Sequence, residues 1–243
     1  MTDQNFHIEF LAWDSDFFKI RVGLLRLENE YNEANLNRFL SEVKTAYDLV
    51  YIILDTNSLL PAALVKYHLI QLVDEKTTFS QSKAQFHFQE RDKAIKSYKA
   101  SYPTDQMFSL AILAGKYSRF SQDEKIPREK FEELYRLWMI NSLNKAFAND
   151  VFVFEEGGAV LGLVTWKIVD EVGQIGLIAV DENNAGRQIG QRLVNAVLIE
   201  ASLKDCKDLR VVTQGTNTVA RNFYLKCGFE KKHSQLIYHF WPS

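Results

Sequence analysis

Between residues 174 and 201 the sequence leaves little choice of local structure. An apolar stretch at 175–180 reads as a buried strand, and Asp181-Glu182-Asn183-Asn184 reads as a polar turn. Ala185-Gly186-Arg187-Gln188-Ile189-Gly190 then opens a helix. Ile189, Leu193, Val197 and Ala201 recur at four-residue spacing, so that helix has one face to bury. The first turn of any helix carries backbone N–H groups with no partner inside the helix. Glycines there let a phosphate approach the backbone, and the helix dipole favours its charge. The pattern points to a pyrophosphate-bearing cofactor. A second reading stands beside it: Gly186 and Gly190 also suit a tight turn and close packing of helix on sheet. A dinucleotide-binding unit fits poorly, because the third glycine of that fingerprint is missing and no repeated βαβ with a strand-end acid follows.

The rest of the chain falls into two halves. The first reads as a small α/β unit, with strands at 6–13 and 21–27 around an Asp14-Ser15-Asp16 turn. Leu36, Phe39, Leu40, Val43 and Ala46 mark a helix, residues 49–54 a short buried strand. Asn57 or Ser58 caps a helix containing Leu60, Leu64 and Tyr67, with Pro61 in its first turn, and a strand-like stretch covers 70–79. Residues 90–105 are charged and polar and join the halves. Beyond them, Thr104 or Asp105 caps a helix reaching about Lys116, and Pro127 opens one whose Phe131, Leu134, Tyr135 and Trp138 share a face. Strands at 151–154 and 160–167 flank Glu155-Glu156-Gly157-Gly158, a hairpin turn. Two domains are expected, 1–100 and 101–243.

Composition removes several classes. With 47% apolar and 25% charged residues the chain is globular, not disordered. A formal net charge of −2 gives no electrostatic ground for a nucleic-acid partner. The basic clusters at 93–99 and 226–232 have acids mixed in or close by and read as solvated faces. Cys206 and Cys227 have no metal-ligand spacing and make no disulfide framework, so a reducing compartment and no metal are expected. No apolar run is long enough to span a bilayer, and residues 1–5 show no leader pattern. A cytoplasmic protein with no membrane partner is the expectation.

A second constellation narrows the chemistry. Residues 209–214 form a strand, Gly215-Thr216 a turn, and Asn217 starts a helix bearing Ala220, Phe223 and Tyr224, closed by Gly228-Phe229. A last strand spans 235–241. The spacing Asn217-x-x-Ala220-x-x-x-Tyr224-x-x-x-Gly228-Phe229 resembles the second cofactor motif of the GCN5-related N-acetyltransferase (GNAT) superfamily. The 185–190 segment stands where that superfamily holds acyl-CoA pyrophosphate. The order and separation of the two match. Over the last hundred and thirty residues the chain is similar to the TDP-fucosamine acetyltransferases of bacterial surface-polysaccharide synthesis, through 175–179, 185–187, 209–214, Asn217-Thr218, Ala220, Tyr224 and Ser118-Arg119-Phe120. The early 13–18 segment is also like theirs. Two departures stand out: Gln188 replaces the usual loop glycine, its side chain expected to point away from the phosphates on the helix's first turn, and Val212 stands where many peptide N-acetylating relatives carry a glutamate base.

The resemblance implies a mixed, largely antiparallel sheet flanked by helices, with the smaller amino-terminal α/β domain bordering the acceptor site. It implies acetyl-CoA as co-substrate. Ile178, Ala179 and Val180 would meet the pantetheine arm, Gly186, Arg187, Gln188, Ile189, Gly190 and Gln191 the pyrophosphate, and Asn217 the arm or the groups near the thiol. Tyr224 would protonate the departing thiolate; apart from the motif, it reads as a packing tyrosine. Arg119 and Gln214 would meet the acceptor, a small-molecule amine and by this likeness the 4-amino group of a TDP-linked dideoxy sugar. A homodimer is implied by the likeness alone. Another amine acceptor (peptide, polyamine or antibiotic) and a non-catalytic acyl-CoA-binding module stay open. No general base is assigned among His233, Asp170, Glu171 and Glu156, and Cys227 reads as a packing residue.

Overall fold

The computed structural model describes residues 6–28 and 30–242; the leaderless reading of residues 1–5 lies outside them. Two compact units divide the chain, Met1–Lys76 with Ser234–Ser243, and Thr77–His233. The composition shift near residue 100 thus falls inside the second unit, and the chain's end returns to the first.

The first unit contains β1 (Ile8–Phe10), α1 (Ala12–Phe18), β2 (Val22–Arg26), α2 (Glu33–Val43), β3 (Leu49–Asp55), α3 (Ala62–Tyr67) and most of β10 (Glu230–Phe240). β2 and β3 run parallel, while β1 pairs antiparallel with β2 and β10 antiparallel with β3. Leu25, Leu36, Leu40, Val50, Ile52 and Phe240 fill its core. The expected strand at 6–13 stops at Phe10, and a helix replaces the Asp14-Ser15-Asp16 turn. Trp13 and Phe17, one helical turn apart, stack with ring centroids at 5.3 Å, and the Ser15 hydroxyl accepts the Val22 N–H at 2.9 Å. Those contacts reward a helix that strand periodicity alone does not suggest. Pro61 is itself the N-cap of α3, and no side chain caps that helix.

The second unit begins within β4 (Gln71–Ser82). It continues through β5 (Ile95–Ser97), α4 (Asp105–Ala114), α5 (Arg119–Gln122), α6 (Arg128–Leu143), β6 (Asp150–Glu156), β7 (Ala159–Val169), β8 (Val172–Val180), α7 (Ile189–Leu203), β9 (Asp208–Gln214) and α8 (Thr218–Lys226). Its strand order is β4-β9-β8-β7-β6-β5. β5 to β8 pair antiparallel in succession, and β8 with β9 parallel, so the sheet is mixed. Thr104 caps α4 by accepting the Met107 N–H at 3.3 Å. α7 buries Ile189, Leu193, Val197 and Ala201 against a core shared with Phe79, Ile175, Leu209 and Val211. α4 packs on β7 and β8 but contributes nothing to that cluster, so it covers the opposite face. Among the described residues no helix is long and apolar enough to cross a membrane, and no group of His, Cys, Asp or Glu could hold a metal ion.

Candidate active site

Two strands that start as partners part company. β8 and β9 pair from Val172↔Asp208 to Ile175↔Val211, yet β8 continues to Val180 and β9 to Gln214. Beyond Ile175 the β9-facing edge of β8 has no strand partner among the described residues. On its other edge the strand stays bonded to β7, with Gly162↔Val180, Leu163↔Ala179 and Val164↔Ile178. The Leu177 N–H goes to Thr165 Oγ1 at 2.8 Å, and the Asp181 N–H to the Leu161 carbonyl at 2.9 Å. Both point toward β7. Strand alternation of period two then sends the Ala179 N–H the same way and aims those of Ile178 and Val180 into the gap.

The free edge leads into the glycine-bearing turn. The Asp181 carboxylate accepts from the Asn183 N–H at 2.9 Å and the Asn184 amide at 3.1 Å, which fixes the chain's exit from the strand. Gly186 has φ +81° with open space where a Cβ would stand, so its conformation rather than crowding calls for glycine. The N–H groups of residues 186–191 have no acceptor among the described residues, and the first helical bond from the loop is Arg192 N–H to the Gln188 carbonyl at 3.1 Å. Consecutive unpaired amides at the mouth of a 15-residue helix form a cradle for an anion.

Two details differ from expectation. Gln188 is not on the first turn but is the N-cap, left-handed at φ 60°, ψ 12°. It keeps the backbone shape that a glycine would adopt there, and the loop geometry survives the substitution. Gly190 answers to packing: a Cβ there would lie 3.2 Å from two ring atoms of Phe223 and 3.8 Å from Val180. That contact brings together the start of α7, the end of β8 and α8, three segments far apart in sequence. The Arg187 guanidinium binds Asn184 Oδ1 at 2.6 Å and Glu156 Oε2 at 2.5 Å, bracing the loop from outside.

Tyr224 follows Phe223 and is 3% exposed. Its ring meets those of Phe223 (5.2 Å), Phe79 (5.9 Å) and Phe229 (5.9 Å). Burial, with a smaller contribution from Cys227, pushes the phenol well above the usual tyrosine range. The Cys227 thiol is itself pushed up to about 11 by burial, which suits a packing residue rather than a nucleophile. Asn217 caps α8, its Oδ1 accepting the Ala220 N–H at 3.0 Å. Gln214 ends β9, its carbonyl accepting the Asn217 N–H at 3.0 Å. Arg119 opens α5 with its guanidinium 4.3 Å from the Phe120 ring centroid.

Three of the four candidate bases are placed elsewhere or engaged. Asp170 and Glu171 form the β7–β8 turn, at the paired end of β8 and roughly 20 Å along the strand from Ile178. Glu171 also binds Lys207 at 2.5 Å, and Glu156 is held by Arg187. His233 Nε2 lies 3.4 Å from Thr78 Oγ1, on the side of β4 opposite Phe79.

A cavity of about 690 Å³ adjoins the amide cradle, between Gln188, Gln191 and Arg192 at the start of α7 and Lys226 to Gly228 at the end of α8. Arg192 is held at its wall by an ion pair with Asp92, whose carboxyl is kept below the usual range chiefly by the Ala94 N–H. Gln81, 2% exposed, also lines the cavity. Its Nε2 donates to the Gln85 carbonyl at 2.6 Å, while its Oε1 has no partner among the described residues. Neither Gln81 nor Thr165 was singled out by sequence; a hydroxyl in an apolar strand opposite Gly176 was the one available hint, since an isolated glycine in a strand suggests a bulge.

Free amides, an open strand edge and an adjoining polar cavity can together pair with an extended, anion-bearing ligand on a mixed sheet. Residues 115–229 match the acetyltransferase (GNAT) family. Over 143 residues it is 31% identical to the spore coat polysaccharide biosynthesis protein SpsD of Bacillus subtilis (strain 168), covering 58% of this chain and 48% of that protein. The chain thus spans about half the length of this curated relative. The fold is similar to a GCN5-related N-acetyltransferase from Sphaerobacter thermophilus (TM-score 0.60, 14% identity, 90% of this chain and 73% of that one). It is also similar to a conserved protein of unknown function from Staphylococcus epidermidis (TM-score 0.64, 9% identity, 91% and 84%).

Proposed function

We propose that this protein transfers an acetyl group from acetyl-CoA to a primary amine on a nucleotide-linked amino sugar. The observation that carries the reading is the parting of β8 from β9 directly upstream of the unpaired amides of residues 186–191. The residues fit the co-substrate along its length. The open edge of Ile178 to Val180 offers backbone pairing to an extended pantetheine arm, the amides of residues 186–191 suit a diphosphate, and the polar cavity suits the nucleotide end. Acetyl-CoA supplies the activated thioester.

The protein's own groups do the rest. One of the Ile178 and Val180 N–H groups, both fixed by the β7 ladder, donates to the thioester carbonyl oxygen as negative charge gathers there, and the other pairs with the pantetheine arm. Tyr224 holds its proton across the working pH range and delivers it to the leaving sulfur from the α8 side of the gap. Phe223 against Gly190 keeps the two helices in fixed relation while this happens. The sugar reading draws on the likeness to a spore coat polysaccharide biosynthesis protein and on Val212, which supplies no carboxylate base where peptide-directed relatives have one.

Thiol release from acetyl-CoA, measured over a panel of amines, tests the proposal. Turnover is expected with TDP-linked 4-amino sugars. Turnover with peptides alone would discard the sugar acceptor, and tight acetyl-CoA binding without turnover on any amine would leave a binding module.

A further inference from the structure

The direction of the Ile178 and Val180 amides depends on an irregularity two residues upstream. β7 and β8 lose register between Val164↔Ile178 and Trp166↔Ile175, so Thr165 alone faces both Gly176 and Leu177. Two residues opposite one is a β-bulge, and it reverses the alternation of everything that follows. Its effect is visible in the packing: Ile175 lies in the core beneath α7, and Ile178 and Val180, not Leu177 and Ala179, pack against that same core.

The side chain of Thr165 fills the irregularity. It is 1% exposed, and its Oγ1 accepts the buried Leu177 N–H at 2.8 Å in place of a backbone carbonyl. Opposite it, a Cβ on Gly176 would come within 2.7 Å of the same oxygen, so the hydroxyl occupies space that only glycine leaves. We infer that Thr165 is a positioning residue, its hydroxyl pinning the bulge that turns the Ile178 and Val180 N–H groups into the gap between β8 and β9. The inference rests on the acetyltransferase reading for its catalytic consequence, but not for its geometry. A regular β8 would present the amides of Leu177 and Ala179 instead, along with the opposite set of side chains.

Thr165→Val keeps shape and removes the acceptor. With amide donors displaced by about an ångström, kcat should fall on the order of 10²-fold, while acetyl-CoA Kd, set mainly by the amides of residues 186–191 and the cavity, weakens by no more than about fivefold, the loss of one backbone pairing. Thr165→Ser, which restores the hydroxyl, should return kcat to within about threefold of wild type. Gly176→Ala, which crowds the hydroxyl from the other side, should reproduce the loss and decides the matter if Thr165→Val does not fold. A kcat within threefold of wild type in folded Thr165→Val or Gly176→Ala would overturn the inference, as would equal losses in the Val and Ser variants. If the wild type turns over no amine, the enzymatic reading fails separately, and amide NMR decides. Ile178 and Val180 resonances that shift on adding acetyl-CoA to wild type but not to Thr165→Val support the role; equal shifts overturn it.

Discussion

Replacing Tyr224 by Phe removes one oxygen and keeps a ring that touches Phe79, Phe223 and Phe229. Folding should therefore change little, by about 1 kcal/mol at most for a single hydrogen-bonding group. Catalysis should change more. A positioned general acid contributes about 10²–10⁴-fold, and each tenfold is about 1.4 kcal/mol of barrier. The structure sets the lower part of that range. An ordinary phenol titrates near 10 against about 8.5 for a thiol, and burial raises the Tyr224 phenol further, so proton delivery is uphill at its end point. A fall in kcat of about 10²-fold is expected in thiol-release assays at saturating acetyl-CoA, with Kd from calorimetry unchanged.

The pH dependence has a defined sign. The folded phenol titrates above the unfolded one, so its contribution to stability is fully present below about pH 10 and declines as pH rises toward the folded value. The stability difference between wild type and Tyr224→Phe should therefore be flat at neutral pH and shift against the wild type only in that alkaline window. No alkaline limb in kcat below about pH 10 should trace to this residue. A variant with kcat within threefold of wild type would remove Tyr224 from the proton-donor role.

Two further outcomes follow from the geometry of the cofactor end. Gln188→Gly should stabilise the fold by about 0.5–1 kcal/mol, because a left-handed N-cap strains any residue with a Cβ; a lowered Tm in a thermal melt would contradict this. Gln81→Leu, which removes a carboxamide from the cavity wall, should weaken acetyl-CoA binding by about five- to tenfold. It should leave turnover of S-acetylpantetheine unchanged, and an equal loss for both donors would show that the cavity does not receive the nucleotide end.

The strand–turn–helix at 175–203 was legible because apolar periodicity, a polar turn and a glycine pair all mark the same boundary. The aromatic face of α6 and the start of α8 at Asn217 were readable for the same reason, a local signal with one local solution. The early segment was not. α1 is seven residues long, too short for periodicity to register, and is held by one aromatic pair and a serine reaching the next strand. The Gly190–Phe223 contact, the Thr165 bulge and the Gln81 cavity join residues 11 to 147 positions apart, so no window along the chain contains them. The division of units also escaped composition, since β10 pairs with β3 residues 180 to 190 positions earlier.

Sheets usually guard their outermost strands, with charges, prolines or twists that keep other proteins from adding on. Here an unsatisfied rim lies indoors, flanked by β7 on one side and the diverging β9 on the other. Ile178 and Val180 can stay aliphatic without gatekeeping residues, because their side chains pack against the core beneath α7. Hydrogen-bonding capacity is thus left free inside the strand order, away from the outermost strand of this unit, where edge-to-edge pairing with another chain would start.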